Sequence, residues 1–211
     1  MARAQVDEME FEYETFGRPS DPAVLLVMGL GAQLIHWPER FCQMLAEGGY
    51  RVIRFDNRDA GLSTKFDGVE VDFLGLVAAA LEGQKVVNAP YDLSDMAKDG
   101  FGILDELGIE EAHVVGASLG GMIAQTMAID EPERVTSLTS IMSATGSREV
   151  VDIPDDSLGL LLAPAPSERS EYLDYSANYA IWCSKKYFDA DLAREYAAAS
   201  YDRSYYPDGS G

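Results

Sequence analysis

Ala23-Val24-Leu25-Leu26-Val27-Met28 is an unbroken apolar run, closed by Gly29, Leu30 and Gly31. A strand with one wet face alternates polar and apolar residues. A strand with no polar position must be covered on both sides, as inside a parallel sheet. The downstream segments meet that condition. Pro38 stands at the start of a helix whose expected inward face is Phe41, Met44 and Leu45, and Gly48 and Gly49 stop it. Arg51 to Phe55 reads as the next strand. Asp92, with Asp95 three residues on, reads as an N-cap. The helix after it presents Leu93, Met96, Ala97, Gly100, Ile103, Leu104 and Leu107 on one face, and Gly108 ends it. A strand over 112–115, a helix over 119–129 and a strand over 135–142 complete the series, and residues 69–83 read as a small helical insertion. Alternating strands and helices imply βαβ crossovers. The expected class is α/β: a doubly wound, mostly parallel sheet with helices on both faces.

Ahead of this series, Arg3 to Val6 and Met9 to Phe16 read as a hairpin. Its second strand sets Phe11, Tyr13 and Thr15 against Glu10, Glu12 and Glu14 on the wet face. Beyond Thr145 the texture changes. Residues 147–211 hold eight of the eleven tyrosines, show no strand-like run and read as helices over 167–184 and 189–203. The expected organisation is therefore a sheet-bearing unit over 1–146 and a helical cap over 147–211. Tyr172, Tyr175, Tyr179 and Trp182 recur every three or four residues. That spacing fits aromatics that pack the cap onto the sheet, and equally aromatics that line a cavity for a bulky apolar substrate.

Composition narrows the partners. The formal charge of −20 repels nucleic-acid phosphates and anionic membrane surfaces, so neither is an expected partner. The two cysteines, Cys42 and Cys183, make neither a disulfide scaffold nor a zinc site; buried reduced thiols in a cytoplasmic protein are expected. The N-terminus is acidic and alternating, unlike a targeting segment. The apolar stretches at 23–30 and 74–81 fall well short of a membrane span.

The chemistry is carried by Gly116-Ala117-Ser118-Leu119-Gly120-Gly121, a G-x-S-x-G pattern between the 112–115 strand and the 119–129 helix. The chain must reverse from strand to helix at one serine, in strained backbone space. Small residues on either side, Gly116 and Gly120, let the turn close. The helix behind it directs its N-terminal dipole and free N–H groups at the serine, where they favour a developing oxyanion. Two oxyanion donors are needed, and Leu119 and Leu30 are the expected ones through their backbone N–H groups. Each piece alone also reads as an ordinary glycine-rich turn; the combination points to chemistry.

With these residues in place, the chain resembles the α/β-hydrolases. The segments that carry the likeness are Val27-Met28-Gly29-Leu30-Gly31, Phe55 to Ser63 (Phe-Asp-Asn-Arg-Asp-Ala-Gly-Leu-Ser), and Val115 to Gly121. Within that superfamily it is most similar to the esterase-like branch that includes aclacinomycin methylesterase. The resemblance implies Ser118 as nucleophile, Leu30 and Leu119 as the oxyanion hole, no metal and no cofactor. It implies a structural salt-bridge cluster around Asp56 and Arg58. The expected activity is hydrolysis of a carboxylic ester of a small hydrophobic molecule through an acyl-enzyme. The alternative is a non-catalytic small-molecule receptor, or an inactive fragment, using the same pocket. In this fold the order is serine, acid, histidine, yet no histidine follows His113. His113 lies five residues before Ser118 on an extended strand, roughly 16 Å away, and reads as structural. His36 reads as a histidine at a loop or helix start beside Trp37 and Pro38. The expectation is a chain truncated before the family's last strands, with low turnover of its own. The 135–142 strand would then be a bare edge inviting self-association.

Overall fold

The computed structural model describes residues 2–69, 89–146, 163, 165–181 and 186–206. The insertion expected over 69–83, Trp182 and Cys183 fall almost wholly outside the described residues. Among the described residues six strands are present: β1 (Ala2–Val6), β2 (Met9–Phe16), β3 (Ala23–Val27), β4 (Arg51–Phe55), β5 (Ala112–Ala117) and β6 (Val135–Ile141). They form one sheet in the order β1-β2-β4-β3-β5-β6, with β1 and β2 antiparallel and β4, β3, β5 and β6 mutually parallel. This is the mostly parallel, doubly wound arrangement that the strand–helix alternation implies.

β3 lies at the centre of the parallel part, and all five of its residues are buried. Leu25 and Val27 face one core with Phe11, Ile53, Phe55 and Val114. That core is covered by α2 (Leu93–Glu106) and α3 (Leu119–Asp130). Val24 and Leu26, with Met28 just beyond the strand, face a smaller core with Val52, Trp37 and Cys42. α1 (Glu39–Glu47) covers that side. Period-two alternation therefore still operates in β3, but both faces are dry.

Three local expectations need correction. In α1 the fully buried residue is Cys42; Phe41 and Met44 are exposed at 36% and 56%. Leu45 packs against the smaller core as expected, while Phe41 stacks against Trp37 at the helix edge (ring centroids 5.7 Å apart). In β2, Glu12 is buried and Thr15 exposed, so the supposed wet face is half covered. The Glu12 N–H donates to Ser63 Oγ at 3.0 Å and its carboxylate takes Arg3 Nε at 3.3 Å. Of the helix expected over 167–184, the described residues are α-helical as α4 (Arg169–Tyr175) and then tighten to a 3-10 turn over Ser176–Ile181; 182–184 lie outside the described residues. Ser176 Oγ donates to the Leu173 carbonyl at 2.6 Å, competing with the helical bond there. α5 (Ala190–Ser204) follows, capped by Asp189, whose carboxylate accepts from Leu192 N–H.

The Asp92 cap is as read. Its carboxylate accepts from Ser94 and Asp95 N–H, and Asp95 reaches back to the Asp92 N–H, a complete capping box. Asp99 and Phe101 also join the buried side of α2.

Candidate active site

The carboxyl ends of β3, β4 and β5 converge, and the groups of interest lie on the loops that leave them. Ser118 follows β5 directly, at φ 54° and ψ −122°, and α3 starts at the next residue. A non-glycine residue rarely occupies this region; the neighbours must hold it there. Ser118 N–H donates to Ile141 O at 2.9 Å, extending the β5–β6 ladder, while Gly121 N–H donates back to Ser118 O at 2.8 Å. The glycines explain how the turn closes. A Cβ on Gly116 would overlap the Gly120 carbonyl, and one on Gly120 would overlap the carbonyls of Val27 and Met28. One on Gly121 would meet Ser143 Cβ at 2.5 Å. Gly121 is thus a third required glycine beyond the two singled out from sequence.

The loop after β3 lies against this serine. A Cβ built on Gly29 would come within 3.1 Å of Ser118 Cβ and 3.6 Å of Ser118 Oγ. Gly29 to Ala32 is a β-turn, closed by Ala32 N–H to Gly29 O at 3.2 Å, with Gly31 at φ +64° in the third position. That position demands positive φ, hence glycine. Leu30 occupies the second position, so its N–H takes no part in the turn's own bond. Leu119 is the first residue of α3, where an N–H has no intrahelical acceptor. Leu30, on the loop packed against Ser118, and Leu119, at the first position of α3, both stand outside the regular hydrogen bonding of their elements.

Two consecutive residues after β4 hold the ends of the β3 loop. Asn57 Nδ2 donates to Met28 O at 2.8 Å. Asp56, with no exposed surface, accepts from Leu34 N–H at 2.7 Å and Leu62 N–H at 2.8 Å. Asp56 and Arg58 are both buried, but they belong to two separate pairs. Asp56 pairs with Arg203 of α5 at 2.8 Å; Arg58 forms a two-pronged bond to Asp99 of α2 at 2.7 and 2.8 Å. Tyr91 lies over the Arg58 guanidinium, and burial with an Asp59 hydrogen bond raises its phenol pKa. The Asp99 partnership was legible in principle: an aspartate three residues after Met96, on the face shared with Gly100 and Ile103, needs a cation. Arg203, at the far end of the chain, gave no such signal.

Neither histidine bonds to Ser118. His113 Nδ1 lies 2.7 Å from Ser137 Oγ, and its ring meets Tyr50 edge-on at 5.7 Å. His36 Nδ1 lies 3.1 Å from Gln33 O and Nε2 3.5 Å from Ser200 Oγ, and its ring stacks on Tyr196 at 6.0 Å. Burial lowers its pKa from the ordinary 6.5. The tyrosines of the C-terminal helices pack on one another: Tyr172, Tyr201 and Tyr205 form a ring cluster with centroids 4.4 to 5.8 Å apart. For Tyr172 this is packing between helices.

Among the described residues there is no group of three or more His, Cys, Asp or Glu side chains that could hold a metal ion, and no helix long and apolar enough to cross a membrane. Cys42 is a buried free thiol. A hollow lined by Asp7, Glu8, Met9, Thr64, Lys65 and Phe66 shares no residue with the serine turn.

The family described as alpha/beta hydrolase fold matches residues 22–182. Rhodomycin D methylesterase of Streptomyces sp. (strain C5) is 36% identical over 136 residues, 64% of this chain and 40% of that protein. RutD of Variovorax paradoxus (strain S110) is 33% identical over 178 residues, 84% of this chain and 59% of that protein. The chain thus spans about 40% of the length of the methylesterase it matches. Among solved structures, a hydrolase from Pseudomonas aeruginosa PA01 superposes with a TM-score of 0.62 at 22% identity, covering 99% of this chain and 70% of that one. The enol-lactonase from Burkholderia xenovorans LB400 superposes with a TM-score of 0.63 at 18% identity, covering 99% and 72%. These two likenesses show the fold.

Proposed function

The chain belongs to the alpha/beta hydrolase fold family, and on that premise we propose that it hydrolyses a carboxylic ester of a small hydrophobic molecule through an acyl-enzyme at Ser118. The observation that carries this reading is the backbone of Ser118, at φ 54° and ψ −122° between β5 and α3, with Gly29 packed against its side chain. Strain of this kind exposes a hydroxyl at the head of a helix and has no evident use in packing. Ser118 Oγ attacks the ester carbonyl carbon and gives its proton to a base. The N–H groups of Leu30 and Leu119 hold the resulting oxyanion. Collapse breaks the bond to the alkoxy group, which leaves as the alcohol with the proton returned to it. Water then releases the acid from the serine ester. Gly116 and Gly120 keep the turn closed throughout. The likeness to rhodomycin D methylesterase supports an ester, and a methyl ester in particular, as the substrate class. The helices α4 and α5 are assigned the capping role, α5 being seated on the loop after β3, and the buried free thiol of Cys42 fits a cytoplasmic setting.

A serine hydroxyl is a poor nucleophile at neutral pH without a base. These 211 residues contain only His36 and His113, and neither bonds to Ser118. The 211-residue chain should therefore turn over slowly unless a base is supplied. The test is hydrolysis of p-nitrophenyl esters of increasing acyl length with and without added imidazole. Imidazole should raise the protein-dependent rate, longer acyl groups should lower KM, and Ser118→Ala should remove the imidazole effect. An imidazole response that is the same in Ser118→Ala would overturn the assignment. Full-rate hydrolysis without imidazole, abolished by Ser118→Ala, would show a base within the chain.

A further inference from the structure

A polar seam joins α5 to the sheet through three side chains, Gln33, Asp56 and Arg203. Gln33 is 3% exposed, and its amide nitrogen donates to the carbonyls of Ser200 and Ser204, each at 2.8 Å. Its amide oxygen accepts from Arg203 Nη1 at 2.8 Å, and the same Nη1 lies 2.8 Å from Asp56 Oδ2. Asp56 Oδ1 holds Leu34 N–H. Among the described residues, Arg203 is the only cation paired with the fully buried Asp56. Gln33 and Leu34 directly follow the Gly29–Ala32 turn. The loop bearing Leu30 is therefore fixed at its entry by Asn57 and at its exit by a carboxylate whose counter-charge comes from the last described helix of the chain.

We propose that Arg203 is a positioning residue for the reaction: by neutralising Asp56 and gripping Gln33, it fixes the 29–34 loop, so that seating α5 and setting the oxyanion donor are one event. The proposal rests on the reading of Leu30 and Ser118 as a hydrolytic site. Its physical basis is the cost of an unpaired buried carboxylate, which far exceeds the worth of the pair itself. Without the cation, Asp56 gains most by admitting water, and the elements it can release are the 29–34 loop on Oδ1 and the turn at Leu62 on Oδ2. α5 has other attachments that do not touch Asp56. Tyr196 stacks on His36, and Ser204 Oγ donates to Gly61 O at 2.5 Å. Losing Arg203 should therefore loosen the loop without detaching the helix.

The test is hydrogen exchange on the 211-residue chain, read peptide by peptide, for Arg203→Met, Arg203→Gln and Arg203→Lys. In the Met and Gln variants the amides of residues 29–36 should exchange roughly tenfold faster or more, while those of α2 and α5 stay protected. The Lys variant keeps the charge and should retain most of the loop's protection. Gln, which preserves a donor and polar bulk, decides the matter if Met does not fold. Unchanged exchange at 29–36 would overturn the proposal. So would equal loosening of the whole chain, or a Lys variant as loose as Gln. Exchange does not depend on Ser118 chemistry, so a failed esterase assay with a loosened loop would sink the enzymatic reading and leave the coupling intact.

Discussion

Ser118 is held against its own backbone preference, at a cost on the order of 1–3 kcal/mol that its neighbours must offset. The bonds to Ile141 and Gly121 and the surrounding glycines do so. His36 shows a second residue-level tension. Burial holds its pKa below 6.5, against the opposing pull of the Gln33 carbonyl and the Asp56 charge. The unfolded chain takes up this proton near pH 6.5, the folded chain only at lower pH. Just below pH 6.5 the unfolded state binds more protons, so stability from this residue is complete above that pH and falls as pH drops through the window. The melting temperature should therefore fall between pH 7 and pH 5.5 more steeply in the parent chain than in His36→Asn. Parallel slopes would contradict this.

At the scale of elements, the serine turn works because three segments approach at backbone distance. A methyl group on Gly120 would strike the carbonyls of Val27 and Met28, so β3 and α3 would have to part. Gly120→Ala should cost about 3 kcal/mol or more, above the usual range for overpacking because backbone must move. Gly108 sits at φ +66° with open space around its missing Cβ, so Gly108→Ala should cost only about 1–2 kcal/mol, the price of left-handed backbone. Urea midpoints of the two variants measure the difference; equal costs would mean that the elbow is loosely packed. This contrast also marks what sequence could reveal. β3, the α2 cap and the strand–serine–helix turn are written in short-range patterns: an unbroken apolar run, Asp92 with Asp95, and glycines spaced about Ser118. The inward face of α1 and the burial of Glu12 were not legible, because tertiary partners, Trp37 and Ser63, set them. The Gln33–Asp56–Arg203 seam was invisible for the same reason, joining residues from opposite ends of the chain.

On the scale of the whole molecule, the sheet ends at β6 among the described residues, and the β6 residues after Val135 are all exposed. Leu138 is 40% exposed and Met142 71%, and Val135 to Ile141 contains no charge and no proline. An unblunted edge of this kind templates pairing with another chain, so the 211-residue chain should self-associate through residues 135–142 despite its charge of −20. Light scattering should show dimers or larger species that Leu138→Lys reduces; a monodisperse, cooperatively melting parent chain would refute this. The strained turn and the loop after β3 adjoin at Ser118, and the hydrolysis proposed for the site depends on the reactivity of its Oγ. The most direct measurement is intact and peptide mass after exposure to a fluorophosphonate, with imidazole supplied as base. The expected result is a single adduct mapping to Ser118, formed faster as imidazole rises and absent in Ser118→Ala. A Ser118 that stays unmodified while other hydroxyls react, or an adduct that persists in Ser118→Ala, would contradict it.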